Sequence, residues 1–182
     1  MDRRDFLKTV AVSGAAMTIQ RSEAMEILTQ AVNSTGKPDL VAVMGDEPEL
    51  MFQRAIAELG GMKQFVKSGQ KVVVKPNIGW DKVPELAGNT NPKLVAEIVK
   101  QCFAAGAKEV TVFDHTCDDW QKCYKNSGIE SAAKAAGAKV MPAHLESYYR
   151  PVDLSKGKNM KKAKIHEAIL NCDVWINVPI LK

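Results

Sequence analysis

The stretch Lys71-Val-Val-Val-Lys75-Pro76-Asn77-Ile78-Gly79-Trp80 constrains this chain most. Three consecutive valines suit a strand covered on both faces, as in a parallel sheet. Lys75 brings a charge to the strand's C-terminal end, and Pro76 ends the ladder because it has no N–H. Asn77 and Gly79 tolerate the backbone angles of a loop. Ligands of open α/β sheets bind outside the C-terminal ends of the strands. Lys75 and Asn77 are therefore the first site candidates.

The rest of the chain repeats the pattern. Leu40-Val-Ala-Val-Met44 reads as a first strand ended by Gly45. Asp46 is placed to cap the next helix, with Pro48 in its first turn and Glu49 at the capping-box position. Met51, Phe52, Ala55, Ile56 and Leu59 form its apolar stripe. A loop of about a dozen residues follows Trp80, long for a compact domain. Asn91-Pro92 opens a helix with Asn as N-cap and Pro at the first helical position. Glu109-Val-Thr-Val-Phe113 is a strand ending in Asp114-His115-Thr116-Cys117. Thr116 and Asp119 resemble a capping box, which predicts a helix start near Cys117. Ile129 to Ala136 is helical, and Ala138 to Met141 is a short strand. Residues 142–164 read as irregular, with the basic run from Lys156 to Lys164 a solvated surface hairpin or loop. Ile165 to Leu170 reads as a short helix or strand, and Asp173 to Pro179 as the last strand. Alternating strands and helices predict an α/β fold, a parallel, Rossmann-like, three-layer sheet of about four to five strands with right-handed crossovers.

Composition excludes several functions. A net charge of +4 and 6% aromatic residues give neither a basic face for nucleic acid nor stacking platforms for single strands. No apolar run is long enough to span a bilayer. Neither Gly-x-Gly-x-x-Gly after the first strand nor Gly-x-x-x-x-Gly-Lys-Ser/Thr is present, so dinucleotide and P-loop fingerprints are missing. The four cysteines, Cys102, Cys117, Cys123 and Cys172, form no Cys-x-x-Cys pair. Cys102 lies on an apolar helical stripe and reads as a core residue.

Three strand ends carry polar groups: Lys75 with Asn77, Asp114 with His115 and Cys117, and Asn177 with Lys182. A parallel sheet places all three on one edge. One reading is a pocket for a small anionic or metal-containing ligand, bound by Lys75, Asn77, Asp114, His115, Asn177 and Lys182. The other is that Lys75 pairs with a nearby carboxylate and the asparagines cap turns. Asp114, His115 and Cys117 carry donor types that bind metals. The alternative reading, in an oxidising compartment, is a Cys117–Cys123 disulfide. His144 and His166 read as surface or packing residues.

The N-terminus is an address. Arg3-Arg4-x-Phe6-Leu7-Lys8 closely resembles the twin-arginine export signal. A weakly apolar run from Thr9 to Ile19, Arg21 and a small-x-small site at Ser22-Glu23-Ala24 complete a signal peptide over residues 1–24. Residues 25–38 then form a short helix and linker before a domain over 39–182. Removing residues 1–24 leaves a net charge of +3. The resemblance implies the twin-arginine translocase as partner and a periplasmic or extracytoplasmic location. That route carries folded proteins, often with a cofactor inserted.

An ordered set of segments carries a second resemblance. Val72-Val-Val-Lys-Pro-Asn-Ile78, Thr90-Asn-Pro92, Ala105-Gly-Ala-Lys-Glu-Val-Thr-Val112 with Asp114, Ser127-Gly128-Ile129 and Cys172-Asp-Val-Trp-Ile-Asn-Val-Pro-Ile-Leu-Lys182 together resemble the DUF362 family. The family has no assigned activity, and some members carry a ferredoxin-like iron–sulfur module. This chain lacks the Cys-x-x-Cys-x-x-Cys run of such a module. The family pattern continues past Val-Pro-x-Leu-Lys, so the resemblance implies an N-terminal portion of the domain, truncated at its C-terminus. It leaves open whether the chain is a ligand-binding or enzymatic domain, a non-catalytic accessory protein with a redox, iron–sulfur or metal-enzyme partner, or a non-functional fragment.

Overall fold

The computed structural model describes residues 38–180. Its central strand is β1, Lys71–Pro76, with Val72, Val73 and Val74 all buried. Alternation sends Val72 and Val74 into the larger core and Val73 into a smaller one on the opposite face. β2 (Glu109–Val112) pairs parallel with β1, and β3 (Lys139–Val140) pairs parallel with β2. β6 (Val174–Val178) pairs parallel with the other side of β1. The sheet order is β3-β2-β1-β6, which leaves β6 as an edge. Asp173 fixes its register: its carboxylate accepts from the Lys71 N–H at 2.7 Å and its own N–H donates to the Lys71 carbonyl at 2.9 Å.

Helices α1 (Pro48–Glu58), α2 (Pro92–Ala104), α3 (Trp120–Asn126) and α4 (Ile129–Ala135) bring apolar residues to the larger core. α2 starts as its sequence predicts, with Asn91 Oδ1 accepting from the Lys93 N–H at 2.9 Å. It ends before Gly106, whose φ of +103° strains any other residue and where an added β-carbon would lie only 3.1 Å from the Ser68 Cα. The second face is covered by α5 (Glu167–Leu170) and by an antiparallel hairpin of β4 (Tyr149–Asp153) and β5 (Lys162–His166). No described helix is long and apolar enough to cross a membrane.

Four expectations need correction. Leu40–Met44 is not a strand: it is unpaired, with Leu40 85% and Met44 95% exposed. β-propensity reflects packing on neighbouring strands, and this segment has none among the described residues. Asp46 does not cap α1; Glu47 occupies the N-cap without a side-chain bond. The helix expected near Cys117 begins at Trp120, because Asp119 caps it by accepting from the Lys122 N–H, while Thr116 Oγ1 donates locally to the Asp118 carbonyl. Residues 142–164 are not irregular throughout, since they contain β4 and the start of β5. The predicted signal and linker, residues 1–37, lie outside the described residues.

Candidate functional site

Parallel pairing brings the ends of β1, β2 and β6 to one edge. Lys75 sits opposite Asn177 across the ladder, and Val74 opposite Val112. Asp114, two residues past β2, is buried and turns its carboxylate across the end of β1. Oδ1 lies 2.5 Å from the Lys75 ammonium, and Oδ2 accepts from the Ile78 N–H at 2.7 Å. The side chains differ in exposure, Lys75 at 31% and Asp114 at 8%. Asp114 is thus fixed inside, while the Lys75 side chain stays partly exposed. The Asp114 backbone is fixed as well. Its N–H donates to the buried Tyr124 hydroxyl at 2.8 Å, and that hydroxyl lies 2.8 Å from the Asp114 carbonyl and 3.0 Å from the Met141 carbonyl. Burial, then the nearby Asp114 charge, push the Tyr124 phenol above its ordinary value, so it stays neutral.

The β1–α2 loop is an internally bonded crossing. The Asn77 N–H donates to Thr90 Oγ1 at 2.8 Å, and its side-chain amide to the Gly88 carbonyl at 3.1 Å. Thr90 Oγ1 in turn donates to the Val178 carbonyl, tying the loop to β6. Buried Asn89 holds the chain at Trp80 and Lys82. Asn77 therefore braces the site through its loop and does not line the cavity beside Lys75. Asn177 is exposed, and Lys182 lies outside the described residues.

That cavity, about 300 Å³, is lined by Lys75, Phe113, His115 and Trp175 from the sheet side. Tyr149, Lys164, Ile165, His166 and Ile169 close it from the hairpin and α5. A cavity of about 310 Å³ at the other end of the same face includes Lys71, Glu109 and Glu167. There Glu109 pairs with Lys139 and Glu167 with Arg150. The cavity beside Lys75 is the better candidate because it lies at the C-terminal strand ends.

His115 is exposed, and its Nδ1 lies 2.9 Å from the Ala143 carbonyl and 3.0 Å from the Tyr149 hydroxyl. A carbonyl only accepts, so Nδ1 donates to Ala143. Burial raises the Tyr149 phenol, with Asp114 adding to the shift.

His166, read from sequence as a surface or packing residue, is buried and caps α5. Its Nδ1 accepts from the Ala168 N–H at 3.1 Å, and its Nε2 lies 3.2 Å from the Pro142 carbonyl. Both contacts suit the neutral ring, and a second proton on Nδ1 would face another donor. Burial lowers its pKa below the ordinary 6.5, against weaker raising effects of the Pro142 carbonyl and Glu167. The unfolded chain then takes up the proton first as pH falls. The stability contribution is full above about pH 6.5 and is lost as pH falls toward the depressed value. His166→Asn, which retains a capping oxygen, should flatten this acid-side loss in urea midpoints measured from pH 7.5 to 5.5. An unchanged slope would refute the assignment.

The metal set expected at Asp114, His115 and Cys117 does not assemble. Asp114 turns to Lys75 and Ile78, and His115 Nδ1 to Ala143 and Tyr149. The Cys117 sulfur lies beside Gly79. No three His, Cys, Asp or Glu side chains among the described residues are grouped to hold a metal ion. All four thiols are free, and burial raises the Cys102 thiol to about 12. Sequence reasoning missed Tyr149, Lys164, His166 and Trp175 as cavity residues. The only local hint was the Tyr148-Tyr149-Arg150-Pro151 string and the basic run after it.

The family model described as Domain of unknown function (DUF362) matches residues 72–182, a span that includes all six strands and the whole edge described above. The chain belongs to the DUF362 family. No curated protein and no solved structure matches it. In this DUF362 domain the matched span includes Lys75, Asp114 and every residue lining the candidate cavity.

Proposed function

We propose that this DUF362 domain binds a small anion-bearing molecule at the C-terminal edge of its parallel sheet, in the cavity between Lys75 and the β4–β5 hairpin. The observation that carries the reading is the partly exposed Lys75 side chain, paired with the buried carboxylate of Asp114 and lining a cavity. An ammonium has three donors, and Asp114 occupies one side of it. Acetate is the smallest probe. Titrated into the full chain, it should shift the backbone amides of Lys75 and His115. Lys75→Gln should weaken binding at least about tenfold, the loss of one charge-assisted hydrogen bond worth about 1.5–3 kcal/mol. Equal binding by the variant would refute the site.

Export by the twin-arginine route is the second part of the proposal, supported by Arg3, Arg4, Phe6, Leu7 and Lys8. Replacing both arginines by lysine should leave a reporter fusion in the cytoplasm. Unchanged export of that variant would overturn this part alone.

A further inference from the structure

We infer that the molecule bound at this edge is an aromatic monocarboxylate: a single carboxylate on a flat apolar body, not a phosphate ester. The inference rests on the site proposed above and adds the chemical class of its ligand.

Phosphate sites are built from free backbone N–H groups at helix N-termini and loop nests. Here seven such amides are already occupied. The N–H groups of Asn77, Ile78, Trp80 and Asp81 donate to Thr90, Asp114, Asn89 and Asp118. Those of Cys117 and Asp118 both donate to the Gly79 carbonyl. At the start of α2, the Lys93 N–H is taken by its own N-cap, Asn91. The positive charge is also limited. Lys75 shares its charge with Asp114, and Lys164 at the rim pairs with Glu146. The Lys75–Asp114 pair has no net charge, which disfavours a doubly charged phosphate more than a single carboxylate.

The walls favour a flat apolar body. Phe113, Ile165, Ile169 and Trp175 supply them. The His166 ring is already stacked on Phe113, with centroids 4.1 Å apart and planes 19° from parallel, and meets the Tyr149 ring at 5.2 Å. Trp175 is different. It is 51% exposed and makes no ring contact with another described residue. Its indole face is available for offset stacking, which an aromatic ligand uses and an aliphatic anion does not. About 300 Å³ is at the small end for ligand pockets and suits one ring with a short acidic arm.

The experiment titrates the full chain with 3-phenylpropanoate, 3-phenylpropanol, acetate and inorganic phosphate, followed by the indole N–H and backbone amide resonances. The expected result is that 3-phenylpropanoate binds at least tenfold more tightly than each of the other three and shifts the Trp175 indole signal. Trp175→Leu, which keeps an apolar side chain without a ring, should remove most of that preference. Circular dichroism checks that the variant is folded. If acetate or phosphate binds as tightly as 3-phenylpropanoate, or if Trp175→Leu keeps the full preference, the aromatic assignment is overturned and the anion site stands. If no anion shifts Lys75 or Trp175, the anion site itself fails.

Discussion

Asp114→Ala is expected to lower the unfolding free energy by about 3 kcal/mol, the low end of the cost of breaking a buried ion pair. The low end applies because Lys75 is 31% exposed and regains some hydration when its partner is removed. The Ile78 N–H, held at 2.7 Å in the native chain, loses its acceptor in the same step. Asp114→Asn separates the two effects. It keeps an oxygen for Ile78 and removes the charge opposite Lys75, so about half the loss is expected. Urea unfolding followed by circular dichroism measures both, provided the slope with denaturant is unchanged. Losses below about 1 kcal/mol for both variants would mean that the carboxylate does not organise the edge.

Removal of a single oxygen from Tyr124 should have nearly as large an effect. Tyr124→Phe retains the ring that packs edge-on against Trp120 at 6.0 Å. It deletes the hydroxyl that accepts from the Asp114 N–H and donates toward the Asp114 and Met141 carbonyls. These groups are buried or partly buried, and an orphaned buried N–H costs about 1–3 kcal/mol. A loss of about 2–3 kcal/mol is expected on that scale, with weaker acetate binding because the end of β2 is released. A change under about 0.5 kcal/mol, the range of a neutral surface substitution, would show that water replaces the hydroxyl without penalty.

The parts of this fold legible in the sequence are those whose causes are local. Three valines in a row mark β1, and Asn91-Pro92 marks the start of α2. The juxtaposition of Lys75 with Asp114 was legible one step further out, because parallel strands must end on the same edge. The geometry then reconciles both readings of Lys75: the ammonium is paired with a carboxylate and also lines a cavity. The hairpin was legible only as one reading of the basic run from Lys156 to Lys164, a surface hairpin or loop, and its strand bounds were not. Its strands carry Arg150, Pro151, Lys162 and Lys164 and lack an apolar run, and Pro151 is tolerated because the pair has two open edges. The cavity residues Tyr149, Lys164 and His166 were hidden for the same reason, since only tertiary packing brings them over Phe113. Leu40–Met44 failed in the opposite sense, with a strand's composition but no strand beside it among the described residues.

The strand order also dictates when the site can exist during folding. β1, β2 and β3 follow one another along the chain and lie side by side, so they can assemble through loops of moderate length. β6 pairs with β1 only after the chain has passed through β3, the hairpin and α5, joining Lys71 to Asp173 across 102 positions. Closing so long a loop is entropically costly and slow. Trp175 and the Thr90 clasp on Val178 both depend on that closure. The proposed ligand edge is therefore completed by the pairing with the greatest sequence separation in the sheet, and an anion bound there would act as a latch on that step.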